Sequence, residues 1–106
     1  PQNCGAPMLL EEFNFKTEVL ESPTPVLVDF WAEWCAPCRA MSPALAALAQ
    51  DFKVCKVNVD RNPKLAARFN ISSIPALYIF KAGRVVAQHL GVTSEQVLRN
   101  DLQRLQ

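Results

Sequence analysis

The sequence predicts an α/β fold in which a single mixed β-sheet, built in the order βαβαβαββα, is flanked by helices on both faces. Three observations carry that expectation. Val26-Leu27-Val28-Asp29-Phe30-Trp31 is almost continuously apolar, β-branched or aromatic, the pattern of a strand covered on both sides rather than on one. Segments with helical spacing of apolar residues separate the strand-like runs. Near the end, two such runs, 76–80 and 85–90, are divided only by a short turn at Ala82-Gly83, which makes that pair an antiparallel hairpin.

Taken in order, Met8-Leu9-Leu10 is a short opening strand. Residues 13–20 follow as a helix, with Phe13, Phe15, Val19 and Leu20 near helical spacing. Ser22-Pro23-Thr24-Pro25 breaks the chain, because each Pro biases its predecessor away from the helical region. The buried strand 26–31 comes next. Met41, Leu45, Leu48 and Phe52 then repeat at helical spacing, so residues 35–50 read as a helix, kinked at Pro43 where one backbone donor is missing. Residues 53–60 form a strand. Asn62-Pro63 opens a short helix, since Pro suits a first-turn position that needs no donor, and Asn70 suits a left-handed cap at its end. After the hairpin, Thr93 to Gln96 has capping-box spacing, and a last helix packs through Val97, Leu98, Leu102 and Leu105.

The bulk properties fit one domain over residues 1–106, with residues 1–7 as a flexible N-terminal segment. Half of the 106 residues are hydrophobic and a fifth are charged, a globular balance. The formal net charge is +1 and Lys and Arg are scattered, so no basic run is available for nucleic acid. The apolar stretch 25–32 is far too short to span a bilayer, so no membrane partner is expected. No charged-then-apolar leader is visible, although the chain starts at Pro1 rather than Met, which leaves removal of a Met or of a longer leader open.

The chemistry concentrates at Cys35 and Cys38. Three residues apart, where a strand hands over to a helix, their sulfurs fall on neighbouring turns and within reach of a disulfide. The first Cys stands where free amide donors and the macrodipole favour a thiolate. Pro37 fixes the backbone of that first turn. Two plainer readings compete. A zinc site would need a second half, and only Cys4, Cys55 and His89 remain, at spacings that fit no zinc module, so no metal is expected. A purely structural disulfide would close too small a loop to stabilise much. Redox chemistry is the reading that accounts for the pair.

Asp29 stands out independently. A carboxylate inside an apolar strand is costly to bury ionised, and burial raises its pKa, which suits a group that accepts a proton. An Asp at an exposed strand end is the plainer alternative. On the next strand, Lys56 shares a face with Val54 and Asn58, while Cys55, Val57 and Val59 take the other.

Val28-Asp29-Phe30-Trp31-Ala32-Glu33-Trp34-Cys35-Ala36-Pro37-Cys38 resembles the active-site segment of the thioredoxin family. The resemblance continues through Lys56-Val57-Asn58-Val59-Asp60, Asn62-Pro63, Ser73-Ile74-Pro75, Phe80-Lys81-Ala82-Gly83 and Leu90-Gly91, in order, from about Met8 to Leu105. It implies the thioredoxin fold and a thiol–disulfide oxidoreductase that reduces disulfides in partner proteins. Cys35 would be the nucleophile that forms a mixed disulfide; Cys38, one turn deeper and less exposed, would be the resolving thiol that closes the Cys35–Cys38 bond. Asp29 would exchange a proton with Cys38, and Lys56 would modulate both electrostatically, with a solvated strand lysine as the alternative. Ile74-Pro75 would be a cis-proline loop facing the cysteines. Trp34, Ala36, Pro37, Ile74, Pro75, Gly91 and Val92 would form a flat apolar rim that binds the substrate.

The resemblance further implies no bound cofactor, electrons from NADPH through a separate thioredoxin reductase, disulfide-containing proteins as substrates and a cytoplasmic monomer. Cys4 is expected to be an exposed thiol able to cross-link two chains, Cys55 a small buried hydrophobe, Trp31 core and His89 a surface residue. The chain departs from the common family pattern at Ala36, where Gly is usual, at Arg39, where Lys is frequent, and at Ala76, where many relatives have Thr. These departures bear on redox potential and partner preference. Two alternatives remain open: an oxidising or isomerising relative of an extracytoplasmic compartment, and a non-catalytic binding module on the same fold.

Overall fold

The computed structural model describes residues 5–106, so Cys4 and its expected cross-linking lie outside the described residues, as does most of the expected flexible segment. Five strands form one mixed sheet in the order β1-β3-β2-β4-β5. They are β1 (Met8–Leu10), β2 (Val26–Trp31), β3 (Lys53–Asn58), β4 (Ala76–Lys81) and β5 (Arg84–Leu90). β1 and β2 run parallel to β3, while β4 runs antiparallel to both β2 and β5. The connecting helices are α1 (Ala36–Ala40), α2 (Ser42–Leu48), α3 (Pro63–Arg68) and α4 (Glu95–Arg104), with a π-helical turn at Lys16–Leu20. The βαβαβαββα order is the one the sequence predicts.

The central strand sorts its side chains by alternation. Val26, Val28 and Phe30 face a core closed by Phe15 and Val19, at the start of and within the π-helical turn, and by Leu65 of α3. Leu27 faces the opposite core, closed by Met41, Leu45 and Leu48 around α2 and by Leu98 and Leu102 of α4. Burial of an apolar side chain is worth about 1.5–3 kcal/mol, so these two interiors supply most of the favourable energy of folding.

Four local expectations need correction. The helix expected over 13–20 is shorter, and Phe13 is 85% exposed rather than on its core face. The Asn14 side chain accepts from the Glu11 N–H at 2.9 Å and closes a turn there, so helical winding starts after Phe13. The helix expected over 35–50 breaks at Met41 into α1 and α2, because Pro43 cannot donate to the carbonyl of Arg39 four residues back. The cap of α4 is Ser94, whose side chain accepts from the Val97 N–H at 3.2 Å, while the Thr93 hydroxyl donates to the Gly91 carbonyl. Val97, expected to pack, is 42% exposed.

The remaining punctuation follows the sequence. Asn70 takes the left-handed conformation after α3, and the hairpin turn places Ala82 and Gly83 at φ 54° and 79°, the positive pair that a tight two-residue turn needs.

Candidate active site

β2 delivers the chain to the site. Beyond its end, Ala32, Cys35 and Cys38 form a small buried cluster against Trp31, Val59 and Ile74. Cys35 and Cys38 are joined as a disulfide with their Cα atoms 5.2 Å apart. Cys35 caps α1: the Cys38 backbone N–H donates to the Cys35 sulfur at 3.1 Å, a contact that favours negative charge on that sulfur. Pro37 occupies the first turn, where its missing donor costs nothing. The expected difference in exposure between the thiols is not realised in this disulfide form, in which Cys35 is 4% and Cys38 3% exposed.

Across from the pair lies the Ile74-Pro75 loop, whose peptide bond is cis, as the family pattern implied. The Ile74 carbonyl oxygen lies 3.9 Å from the Cys35 sulfur. The Pro75 carbonyl is engaged by the Gly91 N–H at 2.8 Å, which fixes the loop to the end of β5. Gly91 stands at φ 86°, a conformation few other residues adopt. Of the seven residues expected to form a flat rim, Trp34, Ala36, Pro37 and Val92 are exposed and Ile74 and Gly91 half-buried. Pro75 itself is buried, as is Ala76 after it at the start of β4, so the loop offers the half-buried Ile74 rather than the proline ring to the rim.

Sequence reading missed several lining groups. Trp34 Nε1 donates to Asp60 Oδ2 at 2.9 Å, which holds the exposed indole in place. Asp60 is set by Asn58, whose side-chain oxygen accepts from the Asp60 and Arg61 N–H groups. A cleft of about 320 Å³ beside the cysteines is lined by Trp34, Val59, Ile71, Ser72, Ser73 and Ile74. These residues come from separate loops, and the one local signal was the Asn58-Val59-Asp60 turn chemistry.

Asp29 is fully buried, and neither carboxylate oxygen has a protein partner among the described residues. Desolvation pushes its pKa up to about 7, against a smaller opposing pull from Lys56, its register partner on β3. Alternation places Asp29 on the same face as Trp31, which packs against the cysteine cluster. Lys56 is half-buried, and its ammonium lies over the Trp31 ring at 4.6 Å. Trp31 is therefore not plain core as expected: it is half-buried between Lys56 and the cysteines, and its Nε1 has no protein partner among the described residues. Lys56 also lines two clefts, one with Glu11, Glu33 and Arg61 and one with Pro7, Ser42 and Ala46.

Of the other singled-out residues, Cys55 is fully buried and burial pushes its thiol up to about 12. His89 is half-buried rather than free on the surface, with Nε2 2.6 Å from Asp101 Oδ2 on α4. Among the described residues no group of three or more His, Cys, Asp or Glu side chains gathers as a metal site.

The thioredoxin family model matches residues 6–104. The chain belongs to the thioredoxin family. It is 49% identical over 95 residues to Thioredoxin 1 of Synechococcus elongatus, covering 86% of this chain and 89% of that one. The thioredoxin of Porphyra purpurea is 45% identical over the same coverage. Among solved structures, a point-mutant thioredoxin from Halobacterium salinarum superposes with a TM-score of 0.88 at 27% identity, covering 95% of this chain and 91% of that one. Family membership and the paired cysteines make this chain a thiol–disulfide oxidoreductase of the protein-disulfide reductase class, one that needs no bound cofactor. The family implies disulfide-containing protein substrates and a reductase partner in general terms. No helix among the described residues is long and apolar enough to cross a membrane.

Proposed function

We propose that Cys35 is the attacking group and Cys38 the resolving group of a protein-disulfide reductase. The Cys35 thiolate attacks one sulfur of a partner's disulfide; a Cys35–partner bond forms, the partner's S–S bond breaks, and one partner sulfur leaves as a thiolate. Cys38 then gives up its proton and attacks the Cys35 sulfur. The Cys35–Cys38 bond closes and the second partner sulfur leaves with the electron pair. The partner is thus reduced by two electrons and this chain oxidised by two. The observation that carries the assignment is the Cys38 N–H held 3.1 Å from the Cys35 sulfur, which marks Cys35 as the thiol best supported as an anion.

Asp29 receives the proton of Cys38, directly or through water. A buried carboxyl with a pKa of about 7 takes and returns a proton near neutral pH, which an ordinary carboxylate does not. Lys56 sets that affinity by lowering it from what burial alone would give. Trp34, Ala36, Pro37, Ile74, Gly91 and Val92 present the docking surface, with Pro75 fixing the loop behind it. The domain, residues 1–106, works as a cytoplasmic monomer, and a separate thioredoxin reductase returns electrons from NADPH.

The test pairs two measurements: the redox potential of the Cys35/Cys38 couple, and NADPH-driven reduction of a protein disulfide through a thioredoxin reductase. A reducing potential with turnover that vanishes in Cys35→Ser is the expected result. A potential as oxidising as that of a disulfide-forming enzyme contradicts the direction, and unchanged turnover in Cys35→Ser contradicts the mechanism.

A further inference from the structure

Arg39 follows Cys38 in α1, and its exposed side chain does not extend freely into solvent. Its Nη1 donates to the Glu33 carbonyl at 2.6 Å, and its backbone N–H donates to the Cys35 carbonyl at 3.3 Å. Side chains of a helix lean toward its N-terminus, so the guanidinium runs back along the segment that carries Trp34 and Cys35. Among the described residues it forms no ion pair, so its charge is not cancelled there.

In the oxidised form the disulfide itself ties Cys35 to α1. Reduction adds two electrons and two protons and breaks that bond. Besides the disulfide, the hydrogen bonds that join the segment to α1 among the described residues are the Cys38 N–H to the Cys35 sulfur and the two from Arg39. One of them, from the guanidinium, is charge-assisted, and a planar guanidinium loses less freedom in holding such a bond than a lysine ammonium does.

We propose that Arg39 is a positioning residue for the thiol chemistry: by clamping Glu33 to α1 it keeps the Cys35 segment in shape when the disulfide opens, and it fixes a positive charge along that segment. The inference rests on Cys35 being the attacking thiolate. An uncancelled cation near a thiol favours its anion, and a partly solvated one does so modestly.

The test is a titration of the reduced protein by Cys35 alkylation rate against pH, on a Cys4→Ser background, in the parent, Arg39→Ala and Arg39→Lys. The Cys35→Ser assay described above tests the underlying reading separately. Arg39→Ala is expected to lower the thiolate-to-thiol ratio roughly two- to fivefold, the size of an exposed charge interaction. Arg39→Lys is expected to recover less than half of that loss, because it restores the charge without the planar guanidinium that holds the Glu33 carbonyl. Mixed-disulfide resolution by Cys38, followed in a single turnover, should slow in the same order. A titration of Arg39→Ala that overlays the parent overturns the proposal. Full recovery in Arg39→Lys overturns the clamp and leaves only the charge.

Discussion

The two faces of the sheet, built from alternate residues of the same strands, differ in kind. Toward the π-helical turn and α3, Phe15, Phe30, Tyr78, Phe80 and the half-buried Phe69 pack ring against ring, with centroids 5.2–6.1 Å apart. Their one phenol is satisfied, Tyr78 donating to the Phe69 carbonyl. Toward α2 and α4 the filling is mainly aliphatic, and Asp29 stands on that face with no hydrogen-bond partner among the described residues. The first face packs apolar and aromatic side chains. The second gives up stability to a buried carboxyl, and the same shift that makes it costly makes it able to move a proton near neutral pH.

Substitutions on either side of β2 should therefore pull in opposite directions. Phe30→Ala, on the aromatic face, is expected to destabilise by about 3–5 kcal/mol through the lost burial and the cavity left behind. Its redox turnover should keep the parent's pH profile wherever it remains folded, as read by denaturant unfolding alongside the disulfide-reduction assay. Asp29→Ala should do the reverse. Folding raises the Asp29 pKa to about 7, so the folded chain holds the proton more tightly than the unfolded one. Its contribution is least unfavourable below about pH 4, declines as pH rises toward 7 while only the unfolded chain ionises, and stays at its lowest above that. At pH 8, Asp29→Ala is expected to be more stable than the parent by as much as about 4 kcal/mol, and the difference should shrink in acid. Equal stability at both pH values would mean that Asp29 carries no such penalty.

A smaller contrast separates the thiols. Cys55 lies on the aromatic face, and with its thiol pushed up to about 12 only roughly one molecule in ten thousand is ionised there at pH 8. Alkylation of the reduced, folded protein should label Cys35 and spare Cys55 until denaturant is added. Labelling of Cys55 at the same rate as Cys35 would contradict the burial argument.

Much of this was legible in the sequence where the signal was local or periodic. The apolar run of β2 announced a two-sided strand and drew attention to Asp29. The cysteine spacing, with Pro37 between, announced a capped helix start. What escaped depended on neighbours remote in sequence or on competition between adjacent ones. Phe13 shares helical spacing with apolar residues but lies outside the helix because Asn14 closes a turn first. Thr93 had the right spacing for a cap, yet Ser94 took the position. The hydrogen bond from Trp34 to Asp60 joins residues 26 apart, and Lys53, a strand lysine by sequence, is buried against Glu18 at 3.0 Å. No periodicity reports contacts of that kind.

The most direct test of Asp29 as the proton acceptor is the pH dependence of mixed-disulfide resolution by Cys38, measured in single turnovers for the parent and Asp29→Asn. The parent rate is expected to rise with an inflection near pH 7, as Asp29 ionises and becomes able to accept the proton. Asp29→Asn should resolve more slowly and lack that inflection; a variant that keeps both the parent's rate and its inflection would contradict the assignment.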